Sequence, residues 1–449
     1  MLFSVVKSIY RDMVTNRERG AKNDQLSRLN VRLESMERSL LAVHHHLNVI
    51  KQTAGLIARK NTNVKLKKCR VVFLVHAVEY WSALADVFER MLVDNRFEVV
   101  LACVNRRYGE NDFYGAKRVS EYFSSRNLQH LLLDDEDSYS SLEILKIISP
   151  DYIFRQQQWD SNYQRAFSSW ELTFAKTCYL SYGAVMLERY HASGEDGDFQ
   201  LGYDQVWHRF AHLIFCESEI ARSYYLANKH GMPEKYVVTG SPKLRRLLQS
   251  CPVWPINRSE RGLRVVWAPH HSIGNDWLNF GTFLLVYKEM LAWAQSNCKV
   301  EIVLRMHPDL SPRLNTLGNE YEDWHKAWRE LPNTYIDEGD PEYGGLFAAS
   351  DLLITDGVSF LLEYPLFGKP AIFIKRDGHA PFNELGKLAE SCCHIVYSAS
   401  GAIEAAINFS NGENLLPLEN LKKLELTVLA QDKNEAGAVV DSIYEDYMQ

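Results

Sequence analysis

The sequence predicts an α/β protein: two Rossmann-like domains facing a cleft, preceded by an N-terminal coiled-coil helix. Three observations carry this. The chain has 449 residues, too many for one ordinary domain. From Arg70 onward, short continuous apolar runs alternate with helical patterns, and the series starts afresh after a Pro-bearing stretch, Cys251-Pro252-Val253-Trp254-Pro255-Ile256-Asn257. Ahead of both series runs an apolar repeat with coiled-coil spacing. The expected parts are residues 1–66 as an amphipathic and coiled-coil segment, 67–250 as an acceptor-side domain, and 251–449 as a donor-side domain with C-terminal helices.

The leading segment begins with Leu2, Phe3, Val5, Val6, Ile9, Tyr10, Met13 and Val14, flanked by Lys7 and Arg11. A basic amphipathic helix of this kind suits either an anionic membrane surface or a neighbouring subunit. Next, Leu26, Leu29, Leu33, Met36, Leu40, Val43, Leu47, Ile50, Ala54 and Ile57 recur at alternating steps of three and four. Leu at a and β-branched residues at most d positions favour bundles above dimers, so residues 26–57 are expected to form a homo-oligomer. Packing of the same stripe on the protein's own body is the alternative. His44, His45 and His46 splay around such a helix as solvated residues.

In the first α/β series, Val71–Val75 reads as a buried parallel strand. Strands follow at Phe97–Val104, His130–Leu133, Tyr152–Phe154, Cys178–Ser181, Leu213–Cys216 and Tyr236–Thr239, with helices between. In the second, strands are expected at Leu263–Trp267, Val300–Leu304, near Tyr335, at Leu352–Thr355 and at Ala371–Ile374. Open parallel sheets bind ligands at the carboxyl ends of their strands, which points to the loops there.

The totals exclude several classes. No apolar run reaches 18 residues, so no transmembrane helix is expected, and the N-terminus makes a poor signal peptide. Eight scattered cysteines without a Cys-x-x-Cys pair suit reduced thiols in a cytoplasm. Residues 1–70 carry 15 Lys+Arg against 5 Asp+Glu, so the remaining residues hold a balance of −17 out of the overall −7. An acidic body of that kind excludes general nucleic-acid binding. The basic run Lys65, Lys67, Lys68, Arg70 suits a linker or a membrane attraction. No Gly-x-Gly-x-x-Gly, Walker loop, Gly-x-Ser-x-Gly or His-Glu-x-x-His occurs, which argues against dehydrogenases, P-loop enzymes, α/β hydrolases and zincins.

Polar residues gather after the strands of the second half. His270, His271 and Ser272 follow Trp267, Arg305 and His307 follow Leu304, and Thr355, Asp356 and Ser359 follow Ile354. Free N–H groups at a helix start bind phosphate, which Thr355–Ser359 fits, and N-capping is the plainer use of the same residues. Glu363, one turn on, is placed to accept from ribose hydroxyls. In an extended loop His270 and His271 point in opposite directions, so one at most faces the cleft. Arg305 beside His307 would help neutralise a diphosphate leaving group. Asp134-Asp135-Glu136-Asp137 resembles an Asp-x-Asp cation site but precedes a helix, where acidic residues suit the N-terminus. No metal site is expected.

These loops resemble a known family. Val266–Ile273, Leu304–Pro308, and Ser350–Asp356 through Gly368-Lys369-Pro370 are similar to segments of the CDP-glycerol glycerophosphotransferase family, GT-B enzymes that build teichoic-acid and capsule-type polymers. Thr239-Gly240-Ser241-Pro242-Lys243 resembles that family's Gly-x-Pro-basic turn, and Gln158–Asp160 and Tyr179–Gly183 resemble N-domain segments of one branch. The resemblance implies His307 at the donor phosphates, Asp356 and Ser359 at the cytidine diphosphate part, and a metal-independent in-line displacement. The nucleotide donor would be a substrate, with no cofactor, and the acceptor a glycan or lipid-linked polymer on the inner face of a membrane. Family members carry a Trp-His-Gly-Thr-Pro segment whose histidine is the expected base. Its match here, Tyr179–Gly183, has none, which leaves His76 and Glu79 as candidates, or a nucleotide-sugar donor and a glycosyltransferase instead. A non-catalytic coiled-coil scaffold is the remaining alternative.

Overall fold

In a computed structural model of the chain, the described residues are 68–449 apart from 109–111, 136, 189–201, 229–230, 274–277, 308–309, 315–317 and 340, with eight single positions between 33 and 50. Two units result, Met1–Val64 and Lys65–Gln449. In the first, Leu33, Met36, Leu40, Val43, Leu47 and Ile50 are helical and more than half exposed. The amphipathic stretch 2–14 and the rest of the heptad series lie outside the described residues.

The second unit holds both sheets. The strands of the first half are β1 (Cys69–Val75), β2 (Phe97–Val104), the hairpin β3 (Arg106–Tyr108) and β4 (Asp112–Tyr114), β5 (Leu131–Leu133), β6 (Tyr152–Arg155), β7 (Lys176–Leu180), β8 (Leu213–Cys216) and β9 (Tyr236–Val238). The second half contributes β10 (Leu263–Ala268), β11 (Val300–Arg305), β12 (Thr334–Asp337), β13 (Leu352–Thr355), β14 (Ala371–Ile374) and β15 (His394–Val396). The sheets run β5-β2-β1-β6-β7-β8-β9 and β12-β11-β10-β13-β14-β15, with every neighbouring pair parallel. Both have the doubly wound order, which reverses direction between β1 and β6 and between β10 and β13. Apolar side chains cover both faces of each sheet, in keeping with the unbroken apolar runs of strands such as Val71–Val75.

One boundary changes. The sequence reading assigned all the C-terminal helices to the second domain, but the helix Glu435–Met448 crosses back. Its Ala436, Val439, Val440 and Ile443 join the core of β1, β2 and the helix Ala85–Val93. Polar bonds fasten it there. Asp446 accepts from Lys176 Nζ at 2.6 Å, from His212 Nε2 at 2.8 Å and from the Tyr152 hydroxyl. The buried Glu435 takes both donors of Arg245, at 3.0 and 2.7 Å, and the Ala430 N–H. Gly240, at φ +75°, makes room for this crossing. A Cβ there would come within 2.8 Å of Glu435 Cγ and 2.9 Å of Ala430 N.

Candidate functional site

Loops after the strands of one sheet meet loops after the strands of the other. Beyond β7, Val185–Glu188 bonds to Pro381–Asn383 beyond β14. Glu188 N–H donates to Pro381 O at 2.9 Å, and Asn383 donates through its N–H to Met186 O and through Nδ2 to Val185 O. Lys243, just beyond β9, pairs at 2.7 Å with Glu363 in the helix Val358–Glu363 beyond β13. The two carboxyl-end crests therefore face each other.

At the β10–β13 switch point the centre is Asp356, buried, with both oxygens taken by the protein itself. It accepts from His270 N–H at 2.5 Å, from Thr282 N–H, and from Thr282 Oγ1 at 2.7 Å. Burial pushes its pKa up to about 6, against those donors. Thr355 Oγ1 donates to Ala268 O at 2.7 Å and accepts from Gly357 N–H, pinning β13 to β10. Ser272, fully buried, accepts from Phe280 and Gly281 N–H and pairs with His270 Nδ1 at 2.8 Å. Gly281 passes so close that a Cβ would sit 2.8 Å from Ser272 O. Three predicted ligand-binding residues thus act as the frame of the loop. Asp356, expected at the nucleotide, spends three of its acceptor sites on two backbone N–H groups and the Thr282 hydroxyl, which gives it a bracing role in this loop.

That frame bends the loop, and a second expectation changes with it. His270 and His271 do not point apart; their rings lie 4.2 Å between centroids, and His307 lies 4.3 Å from His271 and 6.0 Å from His270. Ile273 N–H closes a tight turn onto His271 O at 2.8 Å, so the alternation of an extended chain does not apply. Burial holds His270 well below its usual pKa, and His271, His307 and Arg313 add to the effect. The cation serving this cluster is Arg313, which donates to His271 O at 3.0 Å, and not Arg305. Arg305 is turned to Asp337, its neighbour across the β11–β12 ladder, and stacks 4.4 Å above Tyr343. Arg376, directly beyond β14, donates to Gly281 O at 3.0 Å and was missed in the sequence. The strand-end rule that selected Arg305 would have found it.

Glu363 is likewise engaged, by Lys243 and by the Tyr343 hydroxyl, so it enters the crevice as half of an ion pair and not as a free acceptor for ribose. Ser359 is exposed at the start of its helix and lines a small cavity with Gly183, Glu217, Ser241, Lys243 and Glu363.

On the opposite crest His76 directly follows β1, almost completely buried. Both ring nitrogens lack a hydrogen-bond partner among the described residues, and burial, with Arg106 and Arg155 behind it, keeps the ring neutral. Its backbone N–H bonds to Gln156 Oε1 at 2.8 Å across the β1–β6 switch point. Glu79 is not its partner. The Glu79 carboxylate pairs with Arg118 at 2.6 Å, drawn by a charge that the neutral ring does not offer. Among the described residues no group of three His, Cys, Asp or Glu is placed to hold a metal ion. In the acidic run, Asp137 caps the helix Ser138–Ile148 and Asp135 accepts from Ser141.

Two parallel doubly wound sheets with their carboxyl ends opposed define a GT-B-like architecture. Solved structures of that kind align over most of the chain. The wall teichoic acid polymerase TagF covers 90% of it and 98% of its own chain at TM-score 0.55 and 13% identity. The UDP-GlcNAc 2-epimerase of Neisseria meningitidis, solved with UDP-GlcNAc, covers 84% and 100% at TM-score 0.53 and 12% identity.

Sequence comparison points to one branch. The chain is related to the teichoic acid ribitol-phosphate polymerases TarL and TarK of Staphylococcus aureus, at 27% and 26% identity over 210 residues. The match is 42% of this chain and 35% and 38% of those proteins, so it spans little more than a third of their length. No family profile matches the chain.

Proposed function

We propose that the protein transfers a polyol-phosphate group from a CDP-activated donor to a hydroxyl of a cell-surface polymer or its lipid-linked precursor. The observation that carries this is the cluster of His270, His271, His307 and Arg313 at the β10–β13 switch point. Neutral and cationic donors gathered there suit the developing charge of a diphosphate as a P–O bond breaks. The ribitol-phosphate relatives supply the polyol-phosphate reading of the transferred group. Ser359 and the Lys243–Glu363 pair would border the donor, His307 would contact its phosphates, and Asp356, Thr355 and Ser272 would hold the loop that carries the histidines.

The test uses the purified full-length chain with CDP-ribitol, CDP-glycerol and a UDP-sugar panel, reading nucleotide release. CMP release dependent on His307 is expected. UDP release would instead make it a nucleotide-sugar glycosyltransferase, and no turnover with unchanged polymer synthesis in His307→Ala cells would leave the scaffold reading. The exposed stripe Leu33, Met36, Leu40, Val43, Leu47 and Ile50 supports assembly of several copies through residues 26–57. Sedimentation should give several chains per particle, and one chain on removal of residues 1–60. No helix among the described residues is long and apolar enough to cross a membrane. We place the protein at the inner face of the membrane, where a lipid-linked acceptor and the basic N-terminus would meet; flotation with anionic vesicles checks it.

A further inference from the structure

The crest of the first sheet holds a buried acid, Glu217. Glu217 directly follows β8, is 7% exposed, and its Oε1 has no hydrogen-bond partner among the described residues. A buried carboxylate oxygen without a donor is costly, so proteins retain one where something else is to meet it. Glu217 lines a cavity with Lys243 of its own half, and Ser359 and Glu363 border it from across the crevice. This cavity has about 10 Å³ of water-sized space, room for one water or one hydroxyl and far too little for a nucleotide.

Resting on the polyol-phosphate reading, we propose that Glu217 is the general base of the transfer, accepting the proton of the acceptor hydroxyl. The terminal hydroxyl of the acceptor occupies the cavity. Its oxygen attacks the donor phosphorus adjoining the polyol; the new O–P bond forms as the P–O bond to CMP breaks. The bonding pair leaves with CMP, whose phosphate needs no proton, and the hydroxyl proton passes to the Glu217 carboxylate. This accounts for the absence of a histidine in Tyr179–Gly183, which lies on β7 and the loop after it, beside β8. His76 is a poorer candidate, since its ring is 1% exposed and packed against Tyr163 and Tyr80.

Burial raises the Glu217 pKa to about 7, where a base is half ionised at working pH and still basic enough to take a proton. The groups facing it are Cys216, Tyr203, Tyr225 and Lys243 from its own domain and Glu363 from the other. The carboxylate must be ionised to act, so kcat should rise with pH through about 7.

The experiment measures kcat, donor KM and melting temperature for the wild type, Glu217→Gln and Glu217→Asp across pH 5.5–8.5, with CDP-ribitol or CDP-glycerol as donor. Glu217→Gln should lose kcat by on the order of 10²–10⁴-fold with donor KM and melting temperature little changed, and should lose the acid limb. Glu217→Asp should recover part of the rate and shift that limb. Wild-type turnover with an indifferent Glu217→Gln, or one whose loss lies in KM or folding, overturns the base and leaves the transferase standing. No turnover by the wild type with either donor overturns the transferase reading and the base with it.

Discussion

Asp356 stabilises its surroundings by what it accepts. Replacing it with asparagine keeps the shape but sets an amide NH2 against either the His270 N–H or the Thr282 donors, since each oxygen serves one of them. Leaving a buried donor unmet costs about 1–3 kcal/mol, so Asp356→Asn should lower the denaturant midpoint and weaken nucleotide binding together. His208 makes a pH prediction. Burial, aided by Lys235 and Arg155 and opposed by Asp204, lowers its pKa to about 3, against an ordinary value near 6.5. Its folded-state pKa is depressed, so the unfolded chain binds the extra proton. The stability this gives is full above about 6.5 and declines as pH falls toward 3. Urea midpoints at pH 7 and pH 5 should differ, and by less in His208→Gln. At this scale the sequence marked residue types well and orientations poorly. His270, His271 and His307 were legible as strand-end residues. That Arg305 would turn to Asp337, and Glu79 to Arg118, depended on partners 32 and 39 positions away in the chain.

Among the elements, strands were the most legible because burial on both faces leaves a continuous apolar run; Phe97–Val104, Leu213–Cys216, Leu352–Thr355 and Ala371–Ile374 fall where the runs do. The short helix Pro242–Leu248 shows what a run cannot say. Ser241 caps it, while its Arg245 reaches Glu435 and its Arg246 reaches Asp86 at 2.6 Å. Glu435→Ala strands the Arg245 guanidinium against a buried wall, and breaking such a pair costs about 3–5 kcal/mol. Chemical unfolding should register a loss of that order, while Glu89→Ala, at the more exposed ion pair that the same short helix makes with Ala85–Val93, should cost less than about 1 kcal/mol.

At the scale of the molecule, the C-terminal helix holds the first domain, so truncation after residue 434 should unfold that half while the second sheet keeps its own core. Ile443→Ala alone should cost about 2–5 kcal/mol as a core cavity. Hydrogen exchange on β1 and β2 reads both. The sequence by itself determined the two tandem parallel sheets, the strand-end positions of the polar residues and the heptad stripe, because periodicity and burial are written into neighbouring residues. Tertiary structure alone decided which polar groups are spent on the frame and which are left over. Hydrogen-bond and charge satisfaction is settled between distant segments: Asp356 with Thr282, Glu363 with Lys243, and Glu217 with its Oε1 left without a hydrogen-bond partner among the described residues. It also sent the last helix back to the first domain, since an apolar face carries no address and packs wherever the matching surface and the donors for Asp446 are found.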